Sequence, residues 1–251
     1  MILKLGKQPA KIDPRTFKLA SILTKKAVIL PTSFDCDKNL KAKIPLKMFG
    51  NDKWGDCVIV GRANQTLRFE YFEQKVVLPI TDDEVLNEYW VEQGNLNTHP
   101  DNGLVLLDAL NSWRKKGWTT SGKQYNIYAF AEIDSANHNE VMTGAYQLNG
   151  AYIGLNLPTS AQSQFKYHLR WDICKKNNTP GSWGGHCVYI VGWDAKGPIC
   201  ITWARKQHMT WAFWDKYCDE AYCVVDNKDN FLVNSPVDVN VLDGYLKALG
   251  N

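Results

Sequence analysis

No stretch of this 251-residue sequence keeps the roughly 18 consecutive apolar residues of a membrane-crossing helix, so no membrane partner is expected. Its start, Met1-Ile2-Leu3-Lys4, lacks the basic segment, apolar segment and small-residue cleavage site of a secretory leader, and a cytoplasmic location is expected. Charge of one sign is scarce too: 29 basic residues stand against 26 acidic ones, and the longest basic run is Arg114-Lys115-Lys116. That run falls at the expected end of a helix, where cations suit the negative pole of the dipole, so no nucleic-acid partner is expected. The seven cysteines are odd in number and sit in a chain too long to need a disulfide framework. Cys218 and Cys223 lie at the wide edge of metal-ligand spacing without a second pair, and neither metal nor cofactor is expected. Internal repeats and low-complexity segments are missing.

What is present is the composition of a folded domain: 45% hydrophobic and 22% charged residues can build a core. Residues 1–45 are Lys- and Pro-rich and weakly periodic, and read as an extended arm. In residues 46–118 the apolar spacing is helical. Ile59, Ala63, Leu67 and Tyr71 recur at every fourth position behind Cys57. Thr81 and Glu84 make a capping box ahead of Val85, Leu86, Tyr89 and Trp90. Leu106, Leu110 and Trp113 mark a third helix that stops at Gly117. In residues 119–235 strands are expected at 125–133, 151–157, 186–193, 199–203 and 223–225, with a short helix at 141–148. Residues 236–251 read as a C-terminal helix and tail. The whole is one α+β domain, a helical lobe followed by a β lobe with a cleft between them.

Two residues invite chemistry. Gly55-Asp56-Cys57 puts a thiol at a helix N-terminus, where the positive pole favours thiolate; the bland alternative is a buried helix cysteine. Gly184-Gly185-His186 opens an apolar strand, so His186 can face the end of a sheet; the alternative is a structural histidine. His99, His138, His168 and His208 stand in polar surroundings, with His208 kept in reserve. Asn64-Gln65-Thr66 matches a glycosylation sequon, which chance explains in a chain without a leader. Trp203, Trp211, Phe213, Trp214 and Tyr217 read as core beneath the His186 strand rather than a sugar platform.

Asn51-Asp52-Lys53-Trp54-Gly55-Asp56-Cys57 resembles the nucleophile segment of papain-like cysteine peptidases, and Gly185-His186-Cys187-Val188-Tyr189-Ile190 resembles their histidine strand. The separation, 186 − 57 = 129, is close to the family's roughly 130–150. Asn102-Gly103 resembles the loop that pairs with substrate backbone, Gly150–Leu155 the strand opening the β lobe, and Thr202-Trp203-Ala204 the family's Asn-Ser-Trp-Gly segment. The texture is similar to papain-like proteins of phages and bacteria with a Gly-Asp-Cys nucleophile, for which a virion location is the alternative to cytoplasm. The resemblance implies a thiol hydrolase with Cys57 as nucleophile and His186 as base. It further implies Asn51 as oxyanion donor, Thr202 as the group orienting His186 (Gln207 the second candidate) and Trp203 as a shielding indole. Gly55, Asn102, Gly103, Tyr152, Ile153, Gly185 and Trp203 would contact a peptide or protein substrate, with Tyr152 and Ile153 walling an apolar specificity pocket.

The departures from the pattern are Asn51 in place of Gln, Trp54 in place of Cys, Val58 in place of an aromatic, and Thr202 in place of Asn. Only 56 residues precede Cys57, too few for the family's helical inhibitory segment, so the arm is expected on the β lobe. The rival readings are a peptide-binding protein that has lost catalysis and an amidase or transpeptidase of cell-wall peptides. Oligomeric state is not legible.

Overall fold

A computed structural model describes residues 3–24, 28–226 and 237–249. Part of the expected C-terminal segment, Pro236 and the last two residues, lies outside the described residues. Their elements run α1 (Leu19–Ile22), β1 (Phe34–Asp35), α2 (Cys57–Gln74), α3 (Asp82–Glu92), α4 (Leu106–Lys115), β2 (Trp118–Thr120), β3 (Lys123–Tyr125) and β4 (Ala129–Glu132). There follow α5 (His138–Gln147), β5 (Ala151–Leu157), α6 (Thr159–Lys166), β6 (Gly184–Asp194), β7 (Gly197–Thr202), β8 (Arg205–His208), α7 (Trp211–Tyr217), β9 (Cys218–Val225) and α8 (Val239–Ala248).

The helical side is organised by α2, whose residues 57–71 are all buried. A helix buried all round must also bury its polar positions, and α2 does so by pairing them. Arg62 reaches Glu88 and Glu92 of α3 at 2.7 and 2.8 Å, and Arg68 reaches Asp37 at 2.7 Å. The first helix face read from sequence is therefore correct but too narrow. The Thr81–Glu84 capping box forms as expected, each partner closing on the other's backbone N–H. Asn64 of the sequon is buried within α2 and donates to Val60 O, so no glycan can reach it.

On the other side, strands pair antiparallel in the order β4-β9-β5-β6-β7-β8, with β1 beside β6. The single strand expected at 125–133 is two short ones, because β3 turns away to pair with β2. Phe213, Trp214 and Tyr217 are core, as expected. One apolar cluster surrounds α2, α3 and α4 and reaches Tyr152 and Tyr222 of the sheet, a second lies against β5, β6 and β9, and a small third joins Cys36 to β6 and β7. Among the described residues no helix is long and apolar enough to cross a membrane, and none of the seven cysteines is in a disulfide.

Candidate active site

The N-terminus of α2 and the start of β6 meet at the cleft. Cys57 is the first residue of α2, and its Sγ accepts from the Cys187 N–H at 3.4 Å and from the Gly6 N–H. His186, one residue before Cys187, places Nε2 2.7 Å from Thr202 Oγ1. A bond donated by Nε2 leaves Nδ1 as a bare acceptor, and that buried nitrogen has no hydrogen-bond partner among the described residues. Thr202 ends β7 and pairs across a two-residue turn with Arg205. Trp203 and Ala204 both take positive φ, 41° and 62°, as a tight hairpin turn of this hand demands. The turn swings the Trp203 indole flat onto the imidazole, with centroids 4.1 Å apart and planes 9° apart. The structure thus brings together Cys57, His186, Thr202 and Trp203. Gln207, the other candidate orienter, is elsewhere: its amide donates to Leu169 O and His208 O, both at 2.9 Å. His208 belongs to a separate cluster with Asp194 and Arg170.

Much of the N-terminal arm lies on the β side as expected, with Leu19 and Ile22 in its core and Glu132 N donating to Phe17 O, but residues 4–8 thread the cleft. Lys4 N donates to Asn51 O at 3.1 Å, Lys7 N to Gly185 O at 3.1 Å, Gln8 N to Leu104 O at 2.9 Å, and Leu104 N to Gly6 O at 2.8 Å. The approach is so close that glycine is required on both sides. A Cβ at Gly6 would land on the Gly55 carbonyl, one at Gly103 on Gly6 O, and one at Gly185 on Lys7 O. Trp203 Nε1 donates to Lys4 O at 3.3 Å, and Asn102 O accepts from the Gln8 side chain. Gly55, Asn102, Gly103, Gly185 and Trp203 therefore all border the strand of chain that fills the groove.

Tyr152 and Ile153 do not. Tyr152 is fully buried against Gly61, with its hydroxyl donating to Val58 O, and Ile153 lies in the β-side core. Alternation along a strand puts Gly154 on the same face as Tyr152, and it is Gly154 that meets the arm, at Lys7. Asn51 is buried, and its amide nitrogen donates to Trp54 O at 3.0 Å and to Asp56 Oδ1 at 2.9 Å, so both its hydrogens are committed.

Missed from sequence were Tyr89 and Asp101, which tie the two glycine loops together. Asp101 Oδ1 accepts from Gly55 N at 2.7 Å and from Tyr89 OH at 2.9 Å, and Tyr89 OH accepts from Gly103 N at 2.9 Å. Asp101 stood beside the Asn102-Gly103 motif; nothing in the helical pattern distinguished Tyr89.

Burial pushes the Cys57 thiol up to about 11, against the weaker pull of the N–H groups on its sulfur, and pushes His186 down to about 3. Both groups are neutral while the arm is in place. Among the described residues the one grouping with metal-ligand proximity is Asp35-Cys36-Asp37, away from this cleft, and its carboxylates are already paired with Lys206 and Arg68.

No protein-family model and no curated protein matches the chain. Solved structures do. Xylellain, a cysteine protease from Xylella fastidiosa, superposes with a TM-score of 0.66 at 16% identity, over 90% of this chain and 97% of that one. A procathepsin B from Trypanosoma congolense gives 0.59 at 12% identity, over 90% and 87%. A cysteine protease of Carica candamarcensis gives 0.57 at 14% identity, over 79% and 100%. The chain has the papain-like fold of the α+β class.

Proposed function

We propose that the chain is a cysteine peptidase in which Cys57 is the nucleophile, His186 the base and Thr202 the group that orients it. The observation that carries this reading is the His186 ring. It is bonded to Thr202 through Nε2, stacked on Trp203, and left with an unpartnered Nδ1 beside the residue whose N–H reaches Cys57 Sγ. Nothing in a merely structural histidine requires a bare buried acceptor there.

In this reading Nδ1 takes the thiol proton, and the sulfur attacks the carbonyl carbon of a peptide bond. The Cys57 N–H, an unused donor at the helix start, holds the oxyanion. The C–N bond breaks as His186 returns the proton to the leaving amine, leaving a thioester. Water then attacks, gives its proton to His186, and releases the acid and the thiol. The Asn51 amide joins as a second donor only by leaving Trp54 O and Asp56, so its contribution requires a local rearrangement. An isopeptide bond, or a cell-wall peptide, would react through the same steps.

An epoxide thiol probe with peptide mapping tests this. It is applied to the full chain, to Lys7→Glu to expel the arm, and to a chain lacking residues 1–10. A single adduct at Cys57 in the arm-released forms, abolished by His186→Ala, is expected. Labelling scattered over the cysteines, or unaffected by His186→Ala, would refute the pair. That outcome would favour a peptide-binding protein without turnover, a reading to which the filled cleft and the committed Asn51 amide lend weight.

A further inference from the structure

Among residues 3–8, the segment that threads the cleft, Lys7 is the one whose side chain vanishes entirely into the body of the protein. Its side chain is 0% exposed, with Nζ 2.8 Å from Asp219 Oδ2 and 3.0 Å from Glu220 Oε1. The third hydrogen of the ammonium goes to Gln8 O at 3.1 Å, an acceptor the arm brings with it. The pocket is built for this. Asn156 Nδ2 steadies Asp219 Oδ2 at 3.1 Å, and Tyr222 OH steadies Glu220 Oε2 at 3.2 Å. Gly154 floors it, since a Cβ there would land on Lys7 Cε. Acceptor capacity is left over: the buried Asp219 Oδ1 has no hydrogen-bond partner among the described residues. Its position follows from the chain, for Lys7 is the neighbour of Gly6, whose N–H reaches Cys57 Sγ.

We infer that this pocket is the side-chain selectivity site of the cleft and accepts a lysine or arginine of a bound peptide once Lys7 withdraws, with Asp219 and Glu220 as the residues that select it. The inference rests on the peptidase reading for the word substrate, but the pocket itself is a binding claim. An apolar side chain would leave the buried Glu220 and the half-buried Asp219 without a counter-charge, and an acidic one would add a third negative charge. A cation satisfies both, and an arginine fork has a further donor for the Asp219 Oδ1 that Lys7 leaves unspent. Burial alone pushes the Lys7 ammonium down, but Glu220 and Asp219 outweigh it and hold it above its usual range, so the site keeps a cation charged. This corrects the apolar preference expected from Tyr152 and Ile153.

Two measurements test it on the Lys7→Glu chain, in which the arm's own lysine no longer occupies the pocket. First, a positional-scanning peptide library measures kcat/KM. One position should favour Lys and Arg over Leu by on the order of 10- to 100-fold, and Asp219→Asn with Glu220→Gln should reduce that ratio to a few-fold. Turnover that favours Leu at every position, or a basic preference untouched by the double substitution, overturns the inference. Second, the Lys7→Glu, Cys57→Ala chain is titrated with a labelled peptide of residues 3–11 carrying Lys, Arg, Leu or Glu at the position of Lys7. Tighter binding of the Lys and Arg peptides, lost in the double variant, upholds the pocket even where no peptide is cleaved; equal binding of all four refutes it. Absence of turnover together with absence of labelling at Cys57 is the separate failure of the peptidase reading.

Discussion

Two cations in this protein are wholly buried between two carboxylates, and they differ in what holds them there. Arg62 sits inside an 18-residue helix, in its second turn, and meets Glu88, Glu92 and, at 2.7 Å, Ala109 O, all belonging to the packed helical side. Lys7 meets Asp219 and Glu220 from an arm tied down by a few backbone bonds to Asn51, Gly185 and Leu104. The charges are alike, but the exits are not. Arg62 cannot leave without unfolding α2, whereas Lys7 can leave with its arm and let water replace it, since Asp219 already keeps 20% of its side chain exposed. Burial of an ion pair therefore says little about permanence; attachment of the partners decides it.

The sharpest way to break the comparison is to remove each cation. Arg62→Leu strands two buried carboxylates and should cost about 3–5 kcal/mol, read as a lowered urea midpoint. Deleting residues 1–10 should cost less than half as much, because Asp219 and Glu220 become hydrated instead. Equal losses would mean that the arm is as integral as the helix.

The second prediction concerns pH. His186 is held neutral by a cleft that the arm closes, with a pKa pushed down to about 3 from an unfolded value near 6.5. Between those values the unfolded chain binds the extra proton, so this contribution is complete above about pH 6.5 and is lost as pH falls toward 3. From pH 7 to 4 the full chain should lose about 3 kcal/mol more stability than His186→Gln does. The difference should shrink in the arm-deleted chain, where water reaches the ring. A difference that survives arm deletion would mean that the body of the protein, not the arm, desolvates His186.

Much of this was legible in sequence for local reasons. The α2 face, the Thr81–Glu84 cap and the β5 strand each rest on spacing or on residues near in the chain, whereas the pairing of Cys57 with His186, 129 residues apart, was expected only from the resemblance of their two motifs. The rest depended on contacts far along it. That Arg62 and Arg68 would be buried could not be read from a period, because their partners stand 26 and 31 residues away. The arm's path failed for the same reason: Leu3-Lys4-Leu5-Gly6-Lys7 carries no periodicity, and only the glycines facing it at 55, 103 and 185 hinted at a tight passage. Asp219-Glu220, an acidic pair opening an apolar strand, was the visible mark of the pocket, and it matters only once Gly154 is known to lie opposite.

The thiol gives a third, smaller contrast. With the arm docked, Cys57 is pushed up to about 11 and should alkylate appreciably only in alkaline solution. Lys7→Glu should speed alkylation at pH 7.5 by about tenfold or more, as the helix N-terminus and His186 regain their hold on a hydrated sulfur. An unchanged rate would show that the arm stays docked without its lysine, and that the backbone bonds, not the ion pairs, hold it.

The smallest effect should come from Thr202. Thr202→Val leaves the His186 Nε2–H without its acceptor in a buried site, which costs about 1 kcal/mol or somewhat more. A stability loss alone would fit a structural hydroxyl. A positioning role predicts more, because losing the Nε2 bond frees the imidazole to rotate or to move its proton to Nδ1, the nitrogen that must stay bare to take the thiol proton. In the Lys7→Glu background, Thr202→Val should therefore slow Cys57 alkylation and shift its pH profile to higher values, while Thr202→Ser, which keeps the oxygen, should restore both. If Val and Ser behave alike in the profile and differ only in stability, Thr202 holds the hairpin together and the orientation of His186 rests on the Trp203 stack.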